Sequence, residues 1–346
     1  MARLAATVLV LALALSLGPA ASSAAEEGSP ASAPGPASDP RPLDLSDTSR
    51  LRIGIGDRLS YERNGRWHSL TQELDRLELP VDLAQIWLPR GWSRDWVKRD
   101  QLRQLADRGI TPVVMHYYFG DDISKQSVEA DRDGWYSSMW RMANLVRMDA
   151  PVLVILEPEW NVQAPDGRTS ITDWPWFAND LRAAARMIKR EAPNALVGTC
   201  PGDFPGTPGL EPVLGQVADE LDFLAFQEMR ASTDARATED GYLDVAGSAV
   251  DYARYLKRAF DRPLLLAYVA VSSHGGWERQ QERTLQDLFR RRRNLQKAGV
   301  FGLVYFQLHD DPKHRGYFGA AERHFGLLRS DGNPKPALAA FRAFLR

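Results

Sequence analysis

Eight times between residue 51 and the end of the chain, a short apolar run is followed by a longer stretch of helical periodicity. The runs cover residues 51–56, 81–88, 111–119, 152–156, 195–199, 221–228, 263–271 and 300–309. Runs so short and so continuously apolar read as strands buried on both faces, which is the pattern of a parallel sheet covered by helices. Between them lie helical stretches at 69–79, 95–108, 134–149, 173–191, 211–220, 244–260 and 277–297, with a closing one at 336–345. Asp95 and Asp173 stand where helix caps are expected. Eight strand–helix units in about three hundred residues predict an α/β fold of the (β/α)8 TIM-barrel type. The alternative is an open doubly wound sheet. No short internal repeat of a solenoid is present.

The residues before this pattern are of a different kind. Residues 1–25 read as a secretory signal: Arg3 gives a positive start, 7–17 a short apolar segment, and Ser23-Ala24-Ala25 a small-residue cleavage site. The apolar segment is too short to span a bilayer, so the expected product is exported and soluble, with no membrane contact after cleavage. Residues 26–50 are rich in Pro, Ala and Ser and are expected to be a flexible leader. The barrel is then residues 51–346, expected to be a monomer. A formal charge of -2 over 346 residues offers no electrostatic attraction for nucleic acid. The single cysteine, Cys200, rules out an intramolecular disulfide and any multi-cysteine metal site.

The fourth run ends abruptly, as Val152-Leu153-Val154-Ile155-Leu156-Glu157-Pro158-Glu159-Trp160-Asn161. Side chains alternate along a strand, so Glu157 and Glu159 are expected on one face, about 6.5–7 Å apart. Carboxylates at the end of a buried strand need a partner or a task. The bland alternative is one Glu answering an Arg and the other exposed at the rim. Barrel chemistry sits at the C-terminal strand ends. Alternation places Gln85 and Trp87, His116 and Tyr118, Glu157 and Glu159, Gln227 with Glu228 beside it, Tyr268, and Gln307 with His309 at that end. Trp160 and Asn161 follow directly. Amides, imidazoles, a phenol and an indole suit a hydroxyl-rich ligand, whose OH groups both donate and accept hydrogen bonds. Taken singly, each is a satisfied core polar group.

Rival chemistries are judged by their missing motifs. There is no His-x-His after the first strand, so a barrel metallohydrolase is not supported, and His116 and His309 are expected to hydrogen-bond rather than to hold a metal. Asp121-Asp122 reads as a solvated acidic loop rather than a calcium site. Gly54-Ile55-Gly56-Asp57 lacks the rest of a dinucleotide fingerprint, and no Gly-x-Ser-x-Gly elbow occurs. No cofactor and no metal are expected.

Several segments resemble the retaining (β/α)8 glycoside hydrolases of the cellulase and mannanase superfamily. Glu157-Pro158 is similar to the Asn-Glu-Pro that ends the fourth strand in cellulase-type families, and Glu159-Trp160-Asn161 to the Glu-x-Asn of mannanase-type families. The run from Arg262 to Ala267 resembles their lead-in to the seventh strand, and the run from Phe325 to Ala337 resembles the segment that closes these barrels. The resemblance covers most of residues 51–346, through short motifs. It implies hydrolysis of O-glycosidic bonds in a poly- or oligosaccharide. Two departures stand out: Tyr268 occupies the position of the family's strand-seven nucleophile, and Leu156 replaces its Asn. A weaker likeness, of Glu157-x-Glu159 to the Asp-x-Glu of chitinase-type barrels, makes the second Glu the acid.

The expected mechanism follows. Glycoside cleavage needs an acid on the leaving oxygen and a second carboxylate to attack or to activate water. Glu159 is the expected acid, Glu157 the neighbour that keeps it protonated, and Glu228 the opposing carboxylate from across the mouth. The competing expectation, from a different class, is a carbohydrate-binding barrel that has lost catalysis, for which Tyr268 is the best sign.

Overall fold

The computed structural model describes residues 43–63, 66–120, 123–161, 177–202, 210–231, 244–314 and 316–346. The signal segment, most of the leader, Asp121-Asp122 and Asp173 lie outside the described residues. Eight parallel strands close into a barrel in the order β1 (Arg52–Gly56), β4 (Leu83–Pro89), β5 (Thr111–Tyr117), β6 (Val152–Leu156), β7 (Ala195–Thr199), β8 (Phe223–Arg230), β9 (Leu264–Val271) and β10 (Val300–Tyr305), the last pairing with β1. The fold is thus the (β/α)8 barrel, and the open sheet is excluded because β1 and β10 pair in parallel from Arg52↔Gly302 to Ile55↔Tyr305. Closure removes both sheet edges, so every strand is covered on two sides and is mainly apolar, with buried polar residues such as His116 and Glu228 falling toward the C-terminal end.

Helices α1 (Leu70–Arg76), α2 (Arg99–Ala106), α3 (Lys125–Val146), α4 (Phe177–Glu191), α5 (Leu210–Val217), α6 (Val245–Phe260), α7 (Glu278–Lys297) and α8 (Pro336–Phe344) surround the barrel. Helix α1 starts where Ser69 accepts from Gln72 N and the Gln72 side chain accepts from Ser69 N, a capping box. Helix α2 starts four residues later than expected. Asp95 caps nothing there; its backbone N–H bonds the Ser93 hydroxyl in the preceding turn. Helix α3 begins nine residues before the expected Gly134, capped by Ser124, but Asp131 breaks it with non-helical backbone angles. A hairpin not expected from the sequence, β2 (Ser60–Arg63) with β3 (Arg66–Ser69), fills the connection between β1 and α1.

Two local features shape the barrel's C-terminal end. Gly56 is required by closeness, since a Cβ there would lie 2.0 Å from the carbonyl oxygen of Phe306. On β9, Leu266 pairs with Phe226 and Tyr268 with Gln227, so Ala267 bulges out of the ladder. The Gln85 amide donates to the Ala267 carbonyl at 2.6 Å. Bulges re-aim the following side chain, and here that is Tyr268.

Packing starts before the expected boundary at Leu51. Leu45 is buried in the core, Arg52 donates to the carbonyls of Asp44 and Asp47, and Gln296 donates to those of Thr48 and Ser49. At the other end, Lys335 anchors the closing segment. Its ammonium, 1% exposed, donates to Asp310 at 2.6 Å, to the Ser273 hydroxyl at 2.9 Å and to the His324 carbonyl. Burial lowers the Lys335 pKa while Asp310 opposes the shift, and burial raises that of Asp310. Removing one partner leaves a buried charge without compensation. Asp310→Ala is therefore expected to cost about 3 kcal/mol in urea unfolding, and the double variant Asp310→Leu with Lys335→Met to recover most of it. A single variant within about 0.5 kcal/mol of wild type, the range of ordinary surface changes, would show that the pair does not hold the segment.

Candidate active site

Strand β6 ends at Leu156, and the chain then turns sharply. Glu157 and Glu159 both adopt left-handed backbone, φ +40° and +63°, on either side of Pro158. Non-glycine residues take this region at a cost, met here by backbone bonds from Glu157 N to the His116 carbonyl and from Glu159 N to the Cys200 carbonyl. The turn breaks strand alternation. Glu157 and Glu159 do not share a face, contrary to the sequence expectation.

Glu157 is directed at α3 and is fully engaged. It accepts from the Trp135 indole at 2.7 Å, from the backbone of Tyr118 and Phe119 at 3.3 and 3.2 Å, and pairs with His116 Nδ1 at 3.2 Å. The network runs on, with His116 Nε2 bonded to the Ser138 hydroxyl at 2.9 Å and the Trp92 indole donating to that hydroxyl. With Trp92 as donor, Ser138 can give its proton to Nε2, which leaves Nδ1–H for Glu157. His116 therefore faces the helix layer. Tyr118 does the same, its hydroxyl donating to Asp131 at 2.7 Å and Arg90 lying over its ring. Burial and the Asp131 hydrogen bond push the Tyr118 pKa up to about 12. The expected alternation on β5 is thus off by one, and Tyr117 takes the inward place, 5.4 Å from the Trp87 ring.

Glu159 points into the mouth. Tyr268 donates its phenol to Glu159 Oε1 at 2.7 Å. Because β7 and β8 separate β6 from β9, that bond is made across the open end of the barrel. Tyr268 is wholly buried, and burial together with the charge of Glu159 raises its pKa well above the ordinary range, so it stays a donor. Trp87, Tyr117, Tyr268 and Phe306 form one aromatic floor, with Trp87 5.2 Å from Tyr268 and 5.8 Å from Phe306. Near this floor lie buried polar atoms without a hydrogen-bond partner among the described residues: Gln85 Oε1, Trp87 Nε1, Gln227 Oε1 and Gln307 Nε2. Buried groups of this kind are rare and expensive unless something polar meets them.

Other expected residues go elsewhere. Glu228 is buried against α6, accepting from the Ser248 hydroxyl at 2.6 Å and paired with Arg230 at 2.7 Å. Gln227 takes the inward side of β8, so Glu228 does not face Glu159. Trp160 is fully buried, 6.0 Å from Phe177, and is no exposed sugar platform. Asn161 fastens the end of β7, exchanging both amide bonds with the Gly202 backbone. His309 sits between two carboxylates, Asp57 at 3.2 Å and Glu73 at 3.5 Å, with the Tyr61 ring tilted against it at 4.5 Å. Asp57, Glu73, Tyr61, Tyr117 and Phe306 escaped the sequence expectation. Asp57 was visible as the residue ending the first apolar run; the others carry no signal apart from the fold. Among the described residues no cluster of His, Cys, Asp and Glu is disposed to hold a metal ion.

No family model and no curated protein matches this sequence. Solved structures do share its fold. A family 39 glycoside hydrolase from Bacteroides cellulosilyticus WH2 superposes with a TM-score of 0.57 at 15% identity over 87% of this chain, which spans 65% of that protein's length. A GH5_18 protein from Bifidobacterium longum subsp. infantis gives 0.58 at 15% identity, covering 86% of this chain and 78% of its own. Xylanase 10B from Thermotoga petrophila RKU-1, solved with xylobiose, gives 0.54 at 14% identity, covering 87% and 95%. The chain has the (β/α)8 architecture of these glycoside hydrolases.

A carboxylate holding four donors tolerates no amide in its place. Glu157→Gln is expected to destabilise the fold by about 3 kcal/mol, read as a lower denaturation midpoint. An unchanged midpoint with lost activity would instead return Glu157 to the mouth.

Proposed function

We propose that this protein is an exported glycoside hydrolase that cleaves O-glycosidic bonds of a poly- or oligosaccharide, with Glu159 as its general acid. The observation that carries this is a carboxylate aimed into an aromatic-floored barrel mouth, bonded by Tyr268, among buried amide and indole atoms that have no protein partner among the described residues. A sugar ring supplies what such a place lacks. Its C–H face packs on indole and phenol rings, and its hydroxyls satisfy acceptors such as Gln85 Oε1 and Gln227 Oε1 as well as donors such as Trp87 Nε1. Support also comes from the glycoside hydrolases that share the fold, and the signal-like residues 1–25 support export. Among the described residues no helix is long and apolar enough to cross a membrane.

In this function Glu159 gives its proton to the leaving oxygen, and Tyr268 holds the carboxyl in register. Glu157 and Glu228, bonded into the helix layer, leave the second role to another group. As a base, that group would activate water. A second reading, a carbohydrate-binding barrel without catalysis, is favoured by one observation, the phenol of Tyr268 on the strand where the hydrolases it resembles carry their nucleophile.

Release of reducing ends from a panel of polysaccharides separates the two. Glu159→Gln is expected to lower turnover by about 10²–10⁴-fold, the range of a general acid, with binding preserved; Tyr268→Phe is expected to cost less. Wild-type protein that binds a glycan and releases nothing establishes the binding barrel instead.

A further inference from the structure

Large apolar side chains that remain exposed on a folded domain are normal when scattered singly and meaningful when they gather. Among the described residues four are strongly exposed: Trp67 (65%), Trp96 (58%), Trp140 (49%) and Tyr317 (74%). Trp140 lies on the outer face of α3. The other three lie on loops that follow barrel strands, and so at the same end of the barrel as Glu159: Trp67 on the hairpin after β1, Trp96 after β4, and Tyr317 after β10. Strands β10, β1 and β4 are consecutive neighbours in the barrel. The loops that carry the three rings are therefore neighbours along the rim.

The segments after β1 and β10 are tied to each other. The hairpin carrying Trp67 packs there through Tyr61, whose ring lies tilted 4.5 Å from His309, and the residues flanking it are tied to the β10 side by the contacts of His309 with Asp57 and Glu73 and by the Arg58–Asp311 ion pair. Rigid, amphipathic rings on fixed loops lose little entropy when they bind. Building on the saccharide-binding mouth proposed above, we infer that Trp67, Trp96 and Tyr317 form an extended platform for a polysaccharide chain whose reacting unit lies at Glu159. The substrate is then a polymer that overruns the mouth on the β10–β1–β4 side, each ring stacking on the C–H face of a sugar unit outside the cleavage site.

The test uses the full chain with Trp67→Ala, Trp96→Ala and Tyr317→Ala, singly and together, and Trp140→Ala as a control away from the rim. Affinity electrophoresis through gels holding xylan, galactomannan or carboxymethyl cellulose reads binding without turnover. The triple variant is expected to lose retardation, with about a tenfold weaker affinity for each ring removed, while the control migrates as wild type. The ratio of kcat/KM on the polymer to kcat/KM on a p-nitrophenyl glycoside is expected to fall in the triple variant. Retardation of the triple variant equal to wild type, or an unchanged ratio, overturns the platform and leaves the hydrolase standing. Wild-type retardation lost in the triple variant, with no hydrolysis of any substrate, removes the hydrolase and leaves the platform.

Discussion

Closure of eight parallel strands is the constraint from which the rest follows. With no free edge, every strand has a neighbour on both sides, and each is packed by side chains inside and by helices outside. A polar side chain on such a strand has two destinations. It can turn outward and be satisfied by a helix, as His116, Glu157 and Glu228 are, or it can turn inward at the C-terminal end and meet whatever enters the mouth, as Glu159, Gln85 and Gln227 do.

Two departures from regular geometry decide which side chains take which path. The left-handed backbone at Glu157 and Glu159, with Pro158 between, turns two carboxylates that simple alternation would align into two different environments. The bulge at Ala267 carries Tyr268 into the mouth, where its phenol reaches Glu159. Strained backbone at a strand end, supported from both sides, is a common way to hold a reactive group at a site it would otherwise leave. The result is one carboxylate over an aromatic floor and a second that stiffens the wall beside it.

The architecture was legible in the sequence because the barrel imposes a simple rule, apolar runs of fixed length separated by amphipathic helices, and all eight strands fall where those runs do. Helix starts were less legible: Asp95 looks like a cap but bonds Ser93 in a turn, and the Ser124 cap lies beyond the break at Asp131. The site was legible as a location and partly as residues. Period-two alternation holds along β4 and β8 and puts Gln85, Trp87 and Gln227 at the mouth, whereas Glu159 and Tyr268 reach it through a positive-φ turn and a bulge. On β5 it placed His116 and Tyr118 inward, where the structure puts Tyr117. It failed for Glu157 because no periodicity survives positive φ. Trp160 and Asn161 lie beyond the strand, where only tertiary packing decides whether an indole is a platform or a core residue. Asp57 and His309 join only when β1 and β10 close the ring.

The most direct measurement is a crystal structure of the Glu159→Gln variant soaked with an oligosaccharide that the wild type cleaves. A sugar ring is expected on the Trp87 side of the mouth, with its glycosidic oxygen within hydrogen-bond distance of the amide introduced at position 159 and its hydroxyls on Gln85 Oε1 and Gln227 Oε1. A saccharide bound elsewhere on the surface, with these atoms untouched, would contradict the assignment of Glu159 as the acid of this mouth.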